Sequence, residues 1–367
     1  MVDFSPLYNF EDKEQGTSKQ PRPKQEPSES RPGEIKPKSS GQKEASKKQE
    51  PSFFSDEKSI EGGIHLGKTT FEDSKKIYLD CISLAESLIQ RAEGDQPIDF
   101  FSVKEKIIEL IDNIMLSGKF FVALSREASS TNHLALSLVN VTILSAVMGI
   151  QLGYNKSGLE LLGLAAFFHD IGLAKMARLT SLSRKLSQIE IEQIRKHPLI
   201  GRDILQNIEG TNNDIIDGCL QHHERLDGSG YPFGLKGAQI SEIGQIIGVA
   251  DMFEALTHMR PFRNQLTYLE SFKLIFQTRL ERINPIYVDA LVKRIGIYPV
   301  GSWVTLKNKY VGRVADVNKE FPLRPTILLF FDDKKKKLAT PQRVNLQDNI
   351  QAKIMDMLSS EELSKLS

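Results

Sequence analysis

The pattern of apolar and polar positions divides the chain into three regions. Residues 11–50 hold only two apolar residues, Ile35 and Ala45, and carry prolines at 21, 23, 27, 32 and 37. Such a stretch buries too little apolar surface to offset the entropy of ordering it, so residues 1–59 are expected to be a disordered tail. Phe4, Leu7, Tyr8 and Phe10 form a short apolar motif at its start, read as a plain tail end rather than a docking peptide.

A helical period sets in from about residue 60. It is visible in Phe71–Ala92 and in Ile107, Ile108, Ile111 and Ile114, which are interleaved with charges. It continues to Ile295 and then changes. Trp303, Val304, Leu306, Val311, Val314, Val317 and the run Thr326–Phe331 are β-rich and punctuated by Gly301, Gly312 and Asp332–Asp333. They predict a small β-barrel or sheet over residues 297–350, with Lys334–Lys337 as a solvated turn tip. A short helix over 351–367 is expected to close the chain. The predicted fold is mainly α: an N-terminal helical segment (60–128), a helical bundle (129–296) and the β extension.

Leu134–Gly153 is long enough to cross a bilayer, but Asn140, Gln151 and several hydroxyl residues interrupt it. A buried core helix and no membrane span are expected. Lys and Arg total 48 against 47 Asp and Glu, so bulk positive charge for a nucleic-acid polymer is absent. Cys81 and Cys219, the only cysteines, exclude a disulfide scaffold and a cysteine-built zinc site. With no basic-then-apolar leader in the first ten residues, they suggest a cytoplasmic protein.

The candidate chemistry lies in histidines and aspartates at the ends of apolar helical runs. His169 and Asp170 are adjacent in AAFFHDIG, His197 sits in RKHPLIG, His222 and His223 are paired in LQHHERLDGSGYP, and Asp251 lies in GVADMFEALT. Unpaired burial of so many such groups is costly. Shared metal ions would satisfy them together, and imidazole with carboxylate suits iron, manganese or zinc.

These motifs resemble the HD-GYP family, through H-D at 169–170, H-P at 197–198, H-H-E at 222–224, D-G-x-G-Y-P at 227–232 and A-D at 250–251. The resemblance covers about residues 129–296. It implies an HD-type helical bundle and a cytoplasmic metal-dependent phosphodiesterase that hydrolyses cyclic di-GMP. The cofactors would be two divalent ions, with a third allowed, iron or manganese foremost. The implied ligands are His169, Asp170, His197, His222, His223 and Asp251, with Asp170 bridging. Arg260 and Arg263 would hold the phosphodiester, Tyr231 would stack on or hydrogen-bond a guanine, and the GYP loop would meet a diguanylate cyclase domain. A homodimer is left open. His258 matches no ligand position and is expected to be exposed or capping.

Two positions depart from the family pattern. Ser137 stands where a ligand histidine is usual, and His133, one helical turn earlier, is the candidate replacement. Leu173 replaces a lysine, and Lys175 is the nearest substitute for a substrate contact. These departures favour the alternative reading, a degenerate HD-GYP module that binds cyclic di-GMP or a cyclase without turnover.

Overall fold

A computed structural model describes residues 70–127, 132–182, 184–258, 265–279, 281–318, 320–349, 351–358 and 362–363. The expected tail, 1–59, lies outside the described residues. Helix α1 (Phe71–Glu93) opens on a reciprocal cap. The Thr70 hydroxyl accepts from the Asp73 amide at 3.2 Å, and the Asp73 carboxylate accepts from the Thr70 amide at 3.0 Å. Helix α2 (Phe100–Glu127) is broken at Ser117, whose φ of −143° is not helical. Asn132 caps α3 (His133–Gln151), and Asn155 caps α4 (Lys156–Phe168).

Helix α3 is the axis of the bundle, and every residue from Ala135 to Gly149 is buried. Its apolar length is satisfied by neighbouring helices, as it is for the second long apolar stretch, Lys156–Thr180. Tyr78, Ala85, Ile107 and Ile111 of α1 and α2 belong to the same core as Leu138, Val141, Leu162 and Phe253. The N-terminal helices therefore share the bundle's interior and have no separate core of their own. After α4 the chain passes through a 3-10 turn (Ile171–Met176), α5 (Ala177–Thr180), α6 (Gln188–Ile194), α7 (His197–Gln206) and α8 (Asn213–Gln221). The bundle is completed by α9 (Glu242–Thr257), α10 (Tyr268–Arg279) and α11 (Pro285–Ile295).

The β region forms one antiparallel sheet from β1 (Trp303–Leu306), β2 (Val311–Asp316), β3 (Thr326–Phe331), β4 (Lys337–Asn345) and β5 (Ile354–Met357). The strand order is β4-β3-β2-β1-β5, so the sheet is open, with β4 and β5 at its edges, and not a closed barrel. Tyr298, Val304, Leu306, Val314, Ile327, Leu329 and Leu346 form its core, with Leu269 of α10 packed against them. Arg126 at the end of α2 donates to the Ser302 hydroxyl at 3.0 Å and ties the sheet to the bundle. The expected C-terminal helix is corrected in part: residues 354–357 are a strand that pairs with β1.

Candidate metal centre

Three histidines stand at helix C-termini, where the last carbonyls lack partners within the helix. His169 follows α4 and turns Nδ1 to the Ala166 carbonyl at 2.7 Å. His222 follows α8 and turns Nδ1 to the Cys219 carbonyl at 2.8 Å. His197 follows the end of α6 and turns Nδ1 to the Ile194 carbonyl at 2.9 Å. A carbonyl only accepts, so each Nδ1 donates and each Nε2 is left for the interior. The helix ends thus fix both the ring orientation and the tautomer.

The freed nitrogens converge. His197 Nε2 and His222 Nε2 are 3.4 Å apart. Asp170 Oδ1 lies 2.9 Å from the first and 3.4 Å from the second. Asp170 Oδ2 faces the other way, 3.4 Å from His169 Nε2, and Asp251 Oδ1 of α9 lies 3.9 Å from that nitrogen. Two groups of donor atoms result, each mutually within 4.8 Å: Asp170, His197, His222 and His223, and then His169, His222 and Asp251. All are buried, and His169 and His222 are fully enclosed.

These residues fit divalent cations. His169 Nε2 and Asp170 Oδ1 are buried without a hydrogen bond among the described residues. Two unprotonated Nε2 atoms aimed at one point repel unless a cation sits between them. All the donors are nitrogen or oxygen, the set that suits iron or manganese.

The electrostatics differ between the histidines. Burial holds His222 down at about 4 and His223 well below the ordinary histidine value, which keeps their lone pairs available. Burial also opposes charge on His169, but Asp170 and Asp251 outweigh it and raise the group to about 9. Burial would raise Asp170; His169 and His197 more than offset this and hold it well below the carboxylate range.

The glycines near the cluster are set by close approach. A Cβ on Gly172 would run into the His197 carbonyl oxygen, so the 3-10 turn and α7 meet only through glycine. A Cβ on Gly230 would strike the Glu224 Cα and the Arg225 amide. Glu224 holds the loop above the cluster by accepting from the Phe233 amide at 2.7 Å and the Leu235 amide at 3.0 Å. Arg225 donates to the His222 and Glu224 carbonyls at 3.0 and 2.7 Å. Tyr231 stacks on His223 with centroids 4.6 Å apart, and the Arg195 guanidinium lies 5.4 Å from the same ring. The Tyr231 hydroxyl is buried and makes no hydrogen bond among the described residues.

The remaining candidates fall elsewhere. Lys175 is engaged by the Asp95 carboxylate at 2.6 Å and the Glu93 carbonyl at 3.1 Å, beyond the C-terminal end of α1. His133 is half-buried at the start of α3 and belongs to neither donor group. Ser137 is buried and donates to Glu254 at 3.4 Å. Arg260 and Arg263 lie outside the described residues. His258 is the C-cap of α9, the capping alternative of its two expected places, and it is buried rather than exposed. Glu224, Arg195 and Glu254 were not singled out from the sequence. The signals were there: Glu224 completes H-H-E, and Glu254 follows Asp251 by three positions on one helix face.

Residues 112–286 match the HD domain, and residues 303–366 match the KOW domain associated with HD domain. Over 259 residues the chain is 30% identical to a cyclic di-GMP phosphodiesterase of Pseudomonas aeruginosa, covering 70% of this chain and 62% of that protein. It is 30% identical over 206 residues to a cyclic di-GMP phosphodiesterase response regulator of Xanthomonas campestris, covering 52% of this chain and 54% of that one. A 3'3'-cGAMP-specific phosphodiesterase of Vibrio cholerae is 34% identical over 145 residues, which are 39% of this chain and 33% of that protein. The chain thus spans little more than half, or less, of these relatives. An HDG"Y"P protein of Bdellovibrio bacteriovorus shares the fold, with a TM-score of 0.53 and 19% identity over 64% of this chain and 74% of that one. The matched HD domain, the paired H-D and H-H-E motifs at one buried cluster and the GYP loop over it agree: residues 112–286 are an HD domain that carries the HD-GYP motifs.

Proposed function

We propose that this chain is a cytoplasmic metal-dependent phosphodiesterase that hydrolyses cyclic di-GMP. The observation that carries the reading is the pair of donor groups joined through His222 and faced on both sides by the Asp170 carboxylate. The two curated relatives of longest match named above are cyclic di-GMP phosphodiesterases. His197, His222, His223 and Asp170 would hold one divalent cation, and His169, His222 and Asp251, faced by the other Asp170 oxygen, a second. When bound, such ions acidify water and neutralise charge that builds on phosphoryl oxygens.

The protein's own groups orient the reaction. The Nδ1–carbonyl bonds hold the imidazoles rigid, so little reorganisation accompanies chemistry. One face of Tyr231 is taken by His223, so its buried hydroxyl is the group left to meet substrate. Arg260 and Arg263 pair with phosphate oxygens through planar, permanently charged forks. Replacing either with alanine is expected to weaken substrate binding by about 1.5–3 kcal/mol, with metal content unchanged. Lost metal would make their role structural. Phe233 is 53% exposed at the loop's outer edge, which supports docking of a diguanylate cyclase domain there. Cys81 and Cys219 are both free and buried, in keeping with a reducing cytoplasm.

The test is incubation of manganese- or iron-reconstituted protein with cyclic di-GMP, followed by chromatography. Linear dinucleotide or GMP that fails to form after chelation is the expected result. Tight binding without product would instead select the non-hydrolytic module, which the Ser137 and Leu173 departures favour.

A further inference from the structure

Helix α9 brings Asp251 to the cluster, carries Glu254 one turn later and ends at His258. The two later residues begin a buried polar chain that leaves the cluster. Glu254 lies 3.3 Å from His258 Nδ1 through one carboxylate oxygen and accepts from Ser137 of α3 through the other. His258 Nε2 is 2.6 Å from the Ser125 carbonyl of α2, which only accepts, so the ring donates there. Asn140 Nδ2 of α3 lies 3.2 Å from the same nitrogen; with the ring donating to Ser125 both atoms carry hydrogens there, so the two side chains pack together without a hydrogen bond. Asn140 Oδ1 in turn accepts from the Tyr78 hydroxyl of α1 at 2.8 Å. Tyr78, Ser125, Asn140 and Glu254 are each no more than 2% exposed, and His258 is 9% exposed.

This chain crosses an interior that is mostly apolar. Apolar contact holds helices together without direction, so it tolerates small rotations. Hydrogen bonds between buried groups do not, because a rotation that breaks one strands its partners away from water. Asp251 sits one turn from Glu254 on the same helix face, so the rotation of α9 set at Glu254 and His258 is also the rotation of Asp251. Asp251 Oδ1 is 3.9 Å from His169 Nε2, a spacing that a small turn of the helix would change.

We infer that His258 is a positioning residue: with Glu254 it fixes the rotation of α9, and hence the Asp251 carboxylate, against helices α1 and α2. Helix α2 thereby sets the geometry of the metal centre through the Ser125–His258 bond, and α1 through the Tyr78–Asn140 bond that fixes the side chain packed against His258. This inference rests on the proposed metal centre.

The test is a manganese titration of metal-stripped full-length protein, with free Mn(II) read by electron paramagnetic resonance. His258→Gln is expected to weaken manganese binding roughly tenfold, as loss of an outer partner of a ligand does. Tyr78→Phe removes one hydroxyl at the far end of the chain, keeps the ring, and is expected to weaken binding about threefold. Thr142→Val is the control: it removes a buried hydroxyl whose hydrogen bond, to the Leu138 carbonyl at 2.7 Å, stays within α3. It is expected to bind manganese as the wild type does. Equal affinity in wild type, His258→Gln and Tyr78→Phe would overturn the inference, as would a Thr142→Val loss equal to that of Tyr78→Phe. Wild-type protein that binds no manganese would overturn the metal reading and this inference with it.

Discussion

Asp170→Asn is expected to abolish divalent metal binding at both positions and to lower turnover by at least about a thousandfold, several kcal/mol of transition-state stabilisation. The substitution keeps the side chain's shape, so packing is preserved. It removes the one carboxylate whose oxygens face both donor groups, Oδ1 toward His197 and His222 and Oδ2 toward His169. The amide supplies one weak carbonyl ligand and turns an N–H toward an unprotonated Nε2, where it occupies the lone pair that a cation would need. Without the carboxylate, the four buried histidines are left with only Asp251 to balance the charge of the cations. Metal content by plasma emission and hydrolysis by chromatography check this together. An Asp170→Asn protein that keeps its full metal content would show that the cations, if bound, are held elsewhere.

Gly172→Ala carries the second large effect, and it acts on the scaffold. The new methyl group would meet the His197 carbonyl oxygen and the Gly201 amide, both main-chain atoms of α7 that cannot swing aside. Relief requires the 3-10 turn and α7 to separate. That move costs about 3 kcal/mol or more of stability. It also pulls Asp170 away from His197, now 2.9 Å apart, so metal affinity should fall with stability. Urea unfolding of the metal-free protein measures the first effect, with a lower midpoint at unchanged slope expected. Wild-type stability in Gly172→Ala would mean that the turn and α7 do not pack as closely as described.

The site was legible in the sequence because its geometry is local. H-D, H-P and H-H each fall at a helix end, and a helix end supplies the carbonyl that orients the ring; both facts follow from apolar periodicity and where it stops. The helical bundle was legible for the same reason. What was not legible depends on packing between distant segments. His258 read as exposed or capping; the cap was legible, its burial was not, because nothing in the sequence says that Ser125 and Asn140 will enclose it. Ser137 read only as a missing ligand; the structure shows a hydroxyl donating to Glu254, 117 positions away. Residues 354–357 read as helix because a short apolar run suits either state, and pairing with β1 decided it. Closure of the sheet depends on whether its edges meet, which no period within a strand encodes.

Native mass spectrometry of the reconstituted chain decides whether His169, Asp170, His197, His222, His223 and Asp251 together form a two-cation centre. A dominant species carrying two divalent ions, lost in Asp170→Asn, is expected. A wild-type chain that takes up no divalent ion, or whose bound ions survive that substitution, would rule such a centre out.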